Sequence, residues 1–569
     1  MKRLSALLCL LLLPTVILSA ETYRYAIIPV EFSDVSFTDT RRYVEDKAAT
    51  AKSYLDSQFS PSRTVEFVIL PSVKLTHPCA WYGSNSSSAK DTGIEEAVRE
   101  ALLKCKADFS IYDNDNDGLI DNICFVFAGR SESADGDASR IWPQHLFLHE
   151  LGGVMAISGK SADSVSICSE YSSAGVFCHE FLHAFGLMDM YDTDGKLSGG
   201  TSKGLWGRLT IMDNPGYLTN LCAIELEQLG LGTCLEEKEG EYTLRPISRS
   251  KEYLRLDSDN QNEYFLLECR DNEDWDAFLA GSGLVVYHVD RSLADSWYSD
   301  MYRRNLTALE RWNLNQVNCR PEHQCARVVE AVPGTDDFTK VFFPQEGHTA
   351  FGSETNPSFR FWSGTTSSIA LTGITLQADG SVSFDLITPV TVTYSDYFQD
   401  SAIIAWTFSE RLPVKECLVS WYASGGSSPA KQESMTVIPG SSRVCSAIIE
   451  GLSPQTDYQA SIRLICYDGS IYSKSLEFRT RMKVQGARPF IWLNALERTG
   501  DGKFISGSRT PLRIFNGEGM EAVTWYFNDL RIFPEEDGLW TIPSSGTLKA
   551  EVWLSDGSKE IIIKKIRVQ

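Results

Sequence analysis

Cys178-His179-Glu180-Phe181-Leu182-His183-Ala184-Phe185-Gly186-Leu187-Met188-Asp189 is the stretch from which the rest of the chain is read. His179 and His183 stand four residues apart, so on a helix they share one face, one turn apart. Two neutral imidazoles at that spacing can grip a single metal ion. Glu180 lies on the same turn, beside whatever the ion holds but not obliged to ligate it. The alternative is a buried helix with two satisfied histidines, but a chain with only eight His rarely produces this pattern by chance.

A catalytic zinc needs a third protein ligand and an open fourth position. Gly186 can break the helix so that the chain turns back and brings Asp189 to the metal, six residues after His183. The rivals are Glu225 and Glu227, in a helix expected over 220–229. The spacing favours Asp189; otherwise Asp189 is a helix-end carboxylate facing solvent. Two His ligands with a Glu general base between them form the H-E-x-x-H arrangement of metal-assisted peptide hydrolysis. No G-x-S-x-G elbow with triad partners competes with it.

The chain has 569 residues, too many for one core, and a formal charge of −22. Such an acidic surface argues against nucleic acid or anionic membrane as partner. Residues 1–20 read as a secretory signal: Lys2-Arg3 is basic, Leu4 to Leu18 is apolar, and Ser19-Ala20 supplies small residues for cleavage. No other apolar run is long enough for a transmembrane anchor. The expected location is therefore secreted, with periplasm or cell surface as the other exported destinations. Thirteen cysteines follow Cys9, and in an exported protein some are expected to pair. Cys319 with Cys325, Cys168 with Cys178, and pairs among Cys417, Cys445 and Cys466 are the candidates. Without a C-x-x-C pair, no metal role is expected for them.

Along the chain, a strand over 23–33, a helix over 40–58, a strand over 64–75, a helix over 94–105 and a strand over 123–127 indicate an α/β domain. Asp113-Asn114-Asp115-Asn116-Asp117-Gly118-Leu119-Ile120-Asp121 alternates carboxylates ahead of a Gly. That pattern suits a structural Ca²⁺ held by Asp113, Asp115, Asp117 and Asp121. It departs from an EF-hand, because position twelve is Cys124; the alternative is a solvated turn. Met190 to Gly195 reads as an ordinary turn rather than a further cation loop. A long loop or short helix is expected over 295–320. The expected organisation is a signal peptide (1–20), a catalytic domain (21–236) and a β-rich domain (237–387). Two β-sandwich modules follow, over 388–482 and 483–569. Leu452-Ser453-Pro454-Gln455-Thr456-Asp457-Tyr458 resembles the fibronectin type III signature, and the last module is read as immunoglobulin-like.

His179-Glu180-x-x-His183-x-x-Gly186-x-x-Asp189 resembles the Asp-terminated elongated motif of metzincin peptidases. With Met190-Tyr191-Asp192, Leu209-Thr210-Ile211-Met212 and Gly283-Leu284-Val285-Val286-Tyr287-His288-Val289-Asp290, it looks like the immune inhibitor A family of secreted bacterial metallopeptidases. The resemblance covers roughly residues 23 to 385. It implies an α/β zincin fold of metzincin type and zinc-dependent endopeptidase activity on protein substrates, with Met212 as a packing floor beneath the metal. His145 is given no role. The rival from another class is a catalytically inert surface-binding protein whose C-terminal modules make weak protein or glycan contacts. Glu180 separates the two, since a degenerate peptidase commonly loses its base or a ligand.

Overall fold

The computed structural model describes residues 21–569 apart from 87–88, 259, 261, 425–432, 441–442, 483–488, 494–502, 516–519 and 535–538. The expected signal segment and the expected boundary at 483 lie outside the described residues. The chain divides into two compact units, Met1–Thr349 with Gly373–Phe384, and Ala350–Thr372 with Asp385–Gln569.

The first unit is built on a sheet with strand order Arg63–Ile69, Glu21–Glu31, Ile123–Phe127, Ser164–Ser169, Gln144–Phe147. All neighbours are parallel except the last pair, where Gln144–Phe147 runs antiparallel along the edge. Glu21–Glu31 is apolar on both faces because both are covered. Tyr25 and Ile27 enter one core with the helix Asp46–Phe59, while Ala26, Ile28 and Val30 enter another with the helix Ile94–Lys104. The strand expected over 64–75 is split into Arg63–Ile69 and Val73–Lys74. Pro71 sits between them and has no N–H to give to a ladder.

Ser164–Ser169 feeds the helix Ala174–His183, whose start is capped by the Ser173 hydroxyl accepting the Val176 N–H at 3.2 Å. Phe181 anchors it against the sheet, edge-on to Tyr25 at 4.7 Å and to Phe67 at 5.3 Å. Gly186 follows at φ +85°, a left-handed conformation that a Cβ would strain, and there the chain reverses.

Further along, Thr233–Leu235, Glu252–Asp257, Glu263–Arg270, Gly283–Asp290 and Ala326–Val328 form a second sheet in that order. Val285, Tyr287 and Val289 share one buried cluster with Phe181, Leu182 and Met212. The 295–320 stretch is more ordered than its sequence suggests. Ser296–Ser299 and Arg304–Thr307 pair as a hairpin, and Ala308–Asn313 is a helix closed by a Thr307/Glu310 capping box.

In the second unit, a three-stranded sheet (Val390–Tyr397, Ser401–Phe408, Val444–Glu450) accompanies a four-stranded one (Glu433–Val437, Val414–Ala423, Asp457–Cys466, Ile471–Arg479). Trp406, Cys417, Cys445 and Tyr458 share their core. A separate four-stranded sheet of Leu530–Ile532, Met520–Phe527, Gly546–Leu554 and Lys559–Ile566 buries Trp525, Phe527 and Trp540.

Candidate metal centre

Three side-chain atoms converge at the end of the His179 helix. His179 Nε2 lies 3.0 Å from Asp189 Oδ1, His183 Nε2 lies 3.3 Å from the same oxygen, and the two Nε2 atoms are 3.3 Å apart. Bonds of about 2.0–2.1 Å to a tetrahedral zinc set its ligands about 3.3–3.4 Å apart, so this triangle already has the size such an ion needs. The tautomers fit as well. His179 Nδ1 donates to the Ile211 carbonyl at 3.0 Å and His183 Nδ1 to the Leu187 carbonyl at 2.7 Å, which leaves both Nε2 lone pairs pointing inward. Asp189 Oδ1 is buried and accepts no hydrogen bond. The donor set fits a zinc-type cation.

Electrostatics agree. Burial opposes charge on His179, but the Asp189 carboxylate beside it and the charge of Glu180 outweigh it and raise the imidazole to about 9. Burial likewise opposes charge on Asp189, yet the two histidines hold its carboxyl far below the usual range. The nest therefore favours a positive charge at its centre. Glu180, 7 % exposed, lies alongside; burial pushes its carboxyl up, His179 and His183 pull against that, and the His145 backbone N–H points at it. All of this faces a cleft of about 470 Å³ walled by Trp142, Leu146, Phe147, Tyr191, Tyr302 and Leu314.

The rival ligands are engaged elsewhere. Glu225 is fully buried; one oxygen accepts the Thr210 hydroxyl and the other its own helix's Cys222 N–H at 2.7 Å. Thr210 Oγ1 in turn accepts the Met212 N–H at 2.9 Å, and the Met212 carbonyl accepts the Met190 N–H at 2.9 Å. Glu225 thus braces the turn beneath the two histidines. Glu227 is tied to Arg255 at 2.8 Å and to the Tyr264 hydroxyl.

Asn315 is a site residue that sequence reasoning missed. Its Nδ2 donates to Asp189 Oδ2 at 2.7 Å and its Oδ1 accepts the Asp189 N–H at 2.7 Å, fixing which Asp189 oxygen faces the histidines. No local pattern marks it, for it arrives from 126 residues away. Asn315→Ala is expected to weaken zinc binding by roughly 10–100-fold, checked by competition with a chromogenic chelator.

Residues 19–219 match the family described as "Immune inhibitor A peptidase M6, catalytic domain". That segment is similar to the M6 peptidase catalytic domain. The pre-pro-metalloprotease PrtV of Vibrio cholerae serotype O1 is 29% identical over 198 residues, covering 29% of this chain and 22% of that protein. Immune inhibitor A of Bacillus thuringiensis subsp. alesti is 29% identical over 181 residues, covering 26% of each. The chain therefore spans about a quarter of the length of these curated relatives. Among solved structures, the fn3 domain of human collagen alpha-1(XX) chain is 21% identical, covering 18% of this chain and 84% of that one, with a TM-score of 0.14. A score that low assigns no fold.

Two further sequence expectations differ from the structure. Asp113, Asp115 and Asp117 bring carboxylate oxygens within 4.8 Å of one another, but Asp121 is not in that group. It turns to Asn114, accepting the backbone N–H at 2.6 Å and Nδ2 at 2.9 Å. Asp113 already carries the Lys160 ammonium at 2.5 Å and accepts the Asp117 and Gly118 N–H groups at 3.1 Å each. The second correction concerns the thiols. All thirteen cysteines after Cys9 are free, including Cys168, Cys178, Cys319 and Cys325. Cys168 and Cys178 sit in the apolar core as small hydrophobes.

Proposed function

We propose that this chain is an exported zinc-dependent endopeptidase that uses His179, His183 and Asp189 as ligands and Glu180 as general base. The observation that carries the reading is the triangle of Nε2, Nε2 and Oδ1 atoms, 3.0 to 3.3 Å on a side, with Glu180 beside it at the floor of an open cleft. Zinc held there supplies Lewis-acid polarisation of the scissile carbonyl and acidifies water. The Glu180 carboxylate takes the proton of the attacking water and delivers it to the leaving amine, so no covalent intermediate is needed. Burial, which raises the Glu180 carboxyl, makes it a better base than an exposed Glu. Asn315 keeps Asp189 oriented, and the Ile211 and Leu187 carbonyls keep both imidazoles in the ligating tautomer. Met212, fully buried, is packing and not a ligand.

The test is casein cleavage by the full chain. Cleavage abolished by 1,10-phenanthroline and restored by added zinc is expected; intact casein after incubation with the zinc-loaded chain overturns the reading. Export is part of the proposal, and no helix of the described residues is long and apolar enough to cross a membrane.

Calcium on the Asp113 turn belongs to the same proposal, with Ca²⁺ replacing the Lys160 ammonium on Asp113. A rise in Tm on adding millimolar calcium is expected in the wild type and not in Asp115→Ala; an unchanged wild-type Tm overturns it. We also read 388–482 as a fibronectin type III-like sandwich. The three- and four-stranded sheets support this, as does the Tyr458 hydroxyl, which accepts the Ser453 N–H at 2.8 Å as in a tyrosine corner. It and the immunoglobulin-like 483–569 module act as spacers or weak protein- or glycan-binding aids.

A further inference from the structure

We infer that Asp192, Asp194 and Cys319 form a second, structural site for a divalent cation of the zinc class, separate from the His179 cage. Their carboxylate and Sγ atoms all lie within 4.8 Å of one another. The inference does not rest on peptidase activity.

Asp194 is the observation that points to a ligand. It is only 9 % exposed, and neither of its oxygens has a hydrogen bond of good geometry, although the Ser198 hydroxyl and the Asp192 carboxyl lie near. A buried carboxylate left in that state is costly unless a cation completes it. Asp192 is held in place by the chain it faces. Its Oδ1 accepts the Asp194 and Gly195 N–H groups at 3.2 and 3.0 Å, and its Oδ2 accepts the Ser202 N–H at 2.9 Å. Oδ2, with a single donor, keeps a second lone pair for a metal.

Cys319 is fully buried, with the Thr193 hydroxyl 3.1 Å from its sulfur and the backbone N–H groups of Thr193 and Asp194 turned toward it. The Thr193 hydroxyl gives its proton to the Asn315 carbonyl at 2.7 Å, so the donors that suit a thiolate are the two backbone N–H groups. Burial, with the Asp194 charge beside it, pushes the thiol up to about 11 against the pull of its hydrogen bonds, so the thiolate forms there only with a positive partner. The charge count identifies that partner. Two carboxylates and a thiolate face one nearby buried guanidinium, Arg311, which leaves two negative charges for a divalent ion to neutralise. Arg320, also near this loop, is paired with Glu322 at 2.8 Å, and Lys196 is exposed to solvent. A thiolate in the set selects zinc-class ions over calcium, which takes six to eight oxygens.

The rival reading is that Arg311 itself neutralises Asp194, for its Nε and Nη1 also have no partner. The absence of a C-x-x-C pair does not bear on this site, because Cys319 meets its carboxylates across 125 or more residues of chain. Its position gives it a purpose. Asp192 follows Asp189 by three residues and Cys319 follows Asn315 by four, so a metal there would staple the stretch carrying Asp189 to the stretch carrying its clamp.

The test uses the full reduced chain loaded with Co²⁺, then metal counted per chain and the near-ultraviolet thiolate-to-cobalt charge-transfer band recorded. The His179 cage has only nitrogen and oxygen donors and cannot give that band. Wild type should hold two ions and show the band. Cys319→Ser and Asp194→Asn should each hold one and lose it, while His179→Ala should hold one and keep it. The His179→Ala result leaves the second site intact and so decides the matter even if a buried substitution unfolds. No band in wild type, a band that survives Cys319→Ser, or a Cys319–Cys325 disulfide in the peptide map of the air-exposed chain overturns the inference.

Discussion

Glu180→Gln is expected to lower kcat/KM on casein by roughly 10²–10⁴-fold while leaving bound zinc unchanged. The amide matches the carboxylate in shape but cannot take a proton from water. The two imidazoles and Asp189 keep their own backbone and Asn315 partners, so the metal cage is not disturbed by the change. Steady-state kinetics with zinc quantified on the same preparation checks it. Equal cleavage by the variant would remove Glu180 from the mechanism, and loss of zinc would show that Glu180 helps hold the ion.

The largest expected effect on stability comes from Arg270→Met. Arg270 is fully buried, as are its partners Glu268 and Asp276. Its Nε donates to Glu268 at 2.5 Å, and its Nη1 reaches Asp276 at 2.9 Å and the Asn220 carbonyl at 3.1 Å. Its Nη2 donates to the Leu209 carbonyl at 2.9 Å, at the start of the turn that carries Met212. Removing the guanidinium leaves two carboxylates buried without their cation, which costs about 3–5 kcal/mol. In a unit of this size that lowers Tm by roughly 5 °C. Adding Glu268→Gln and Asp276→Asn to Arg270→Met should recover part of the loss, because the stranded charges go with them. Thermal unfolding of both variants checks this; an Arg270→Met chain as stable as wild type would contradict it.

What could be read from the sequence was local. His179 and His183 fall on one helical face by spacing alone, with Glu180 on the same turn, and Gly186 marks where the chain must turn back toward Asp189. Ile123–Phe127 and Gly283–Asp290 stand out as apolar β-branched runs, and both are strands with those bounds. What the sequence hid was non-local. Asn315 and Arg270 look like ordinary polar residues until folding carries one to Asp189 and the other to Leu209. Glu225 was a reasonable rival ligand by residue type, and only the Thr210 and Cys222 contacts reveal it as a brace. The 295–320 stretch concealed its hairpin because each strand is only four residues long, too short for alternation to register. The cysteine expectation failed for a related reason: composition suggests pairing, but each thiol's neighbours are set by the fold.

Anomalous diffraction at the zinc edge from crystals of the full chain bears most directly on the catalytic centre. The expected result is a peak at the cleft floor, about 2.0–2.1 Å from His179 Nε2, His183 Nε2 and Asp189 Oδ1, with Glu180 close by but outside bonding distance. A peak ligated by Glu225 or Glu227 in place of Asp189, or no peak between the two imidazoles of a zinc-loaded crystal, would contradict it.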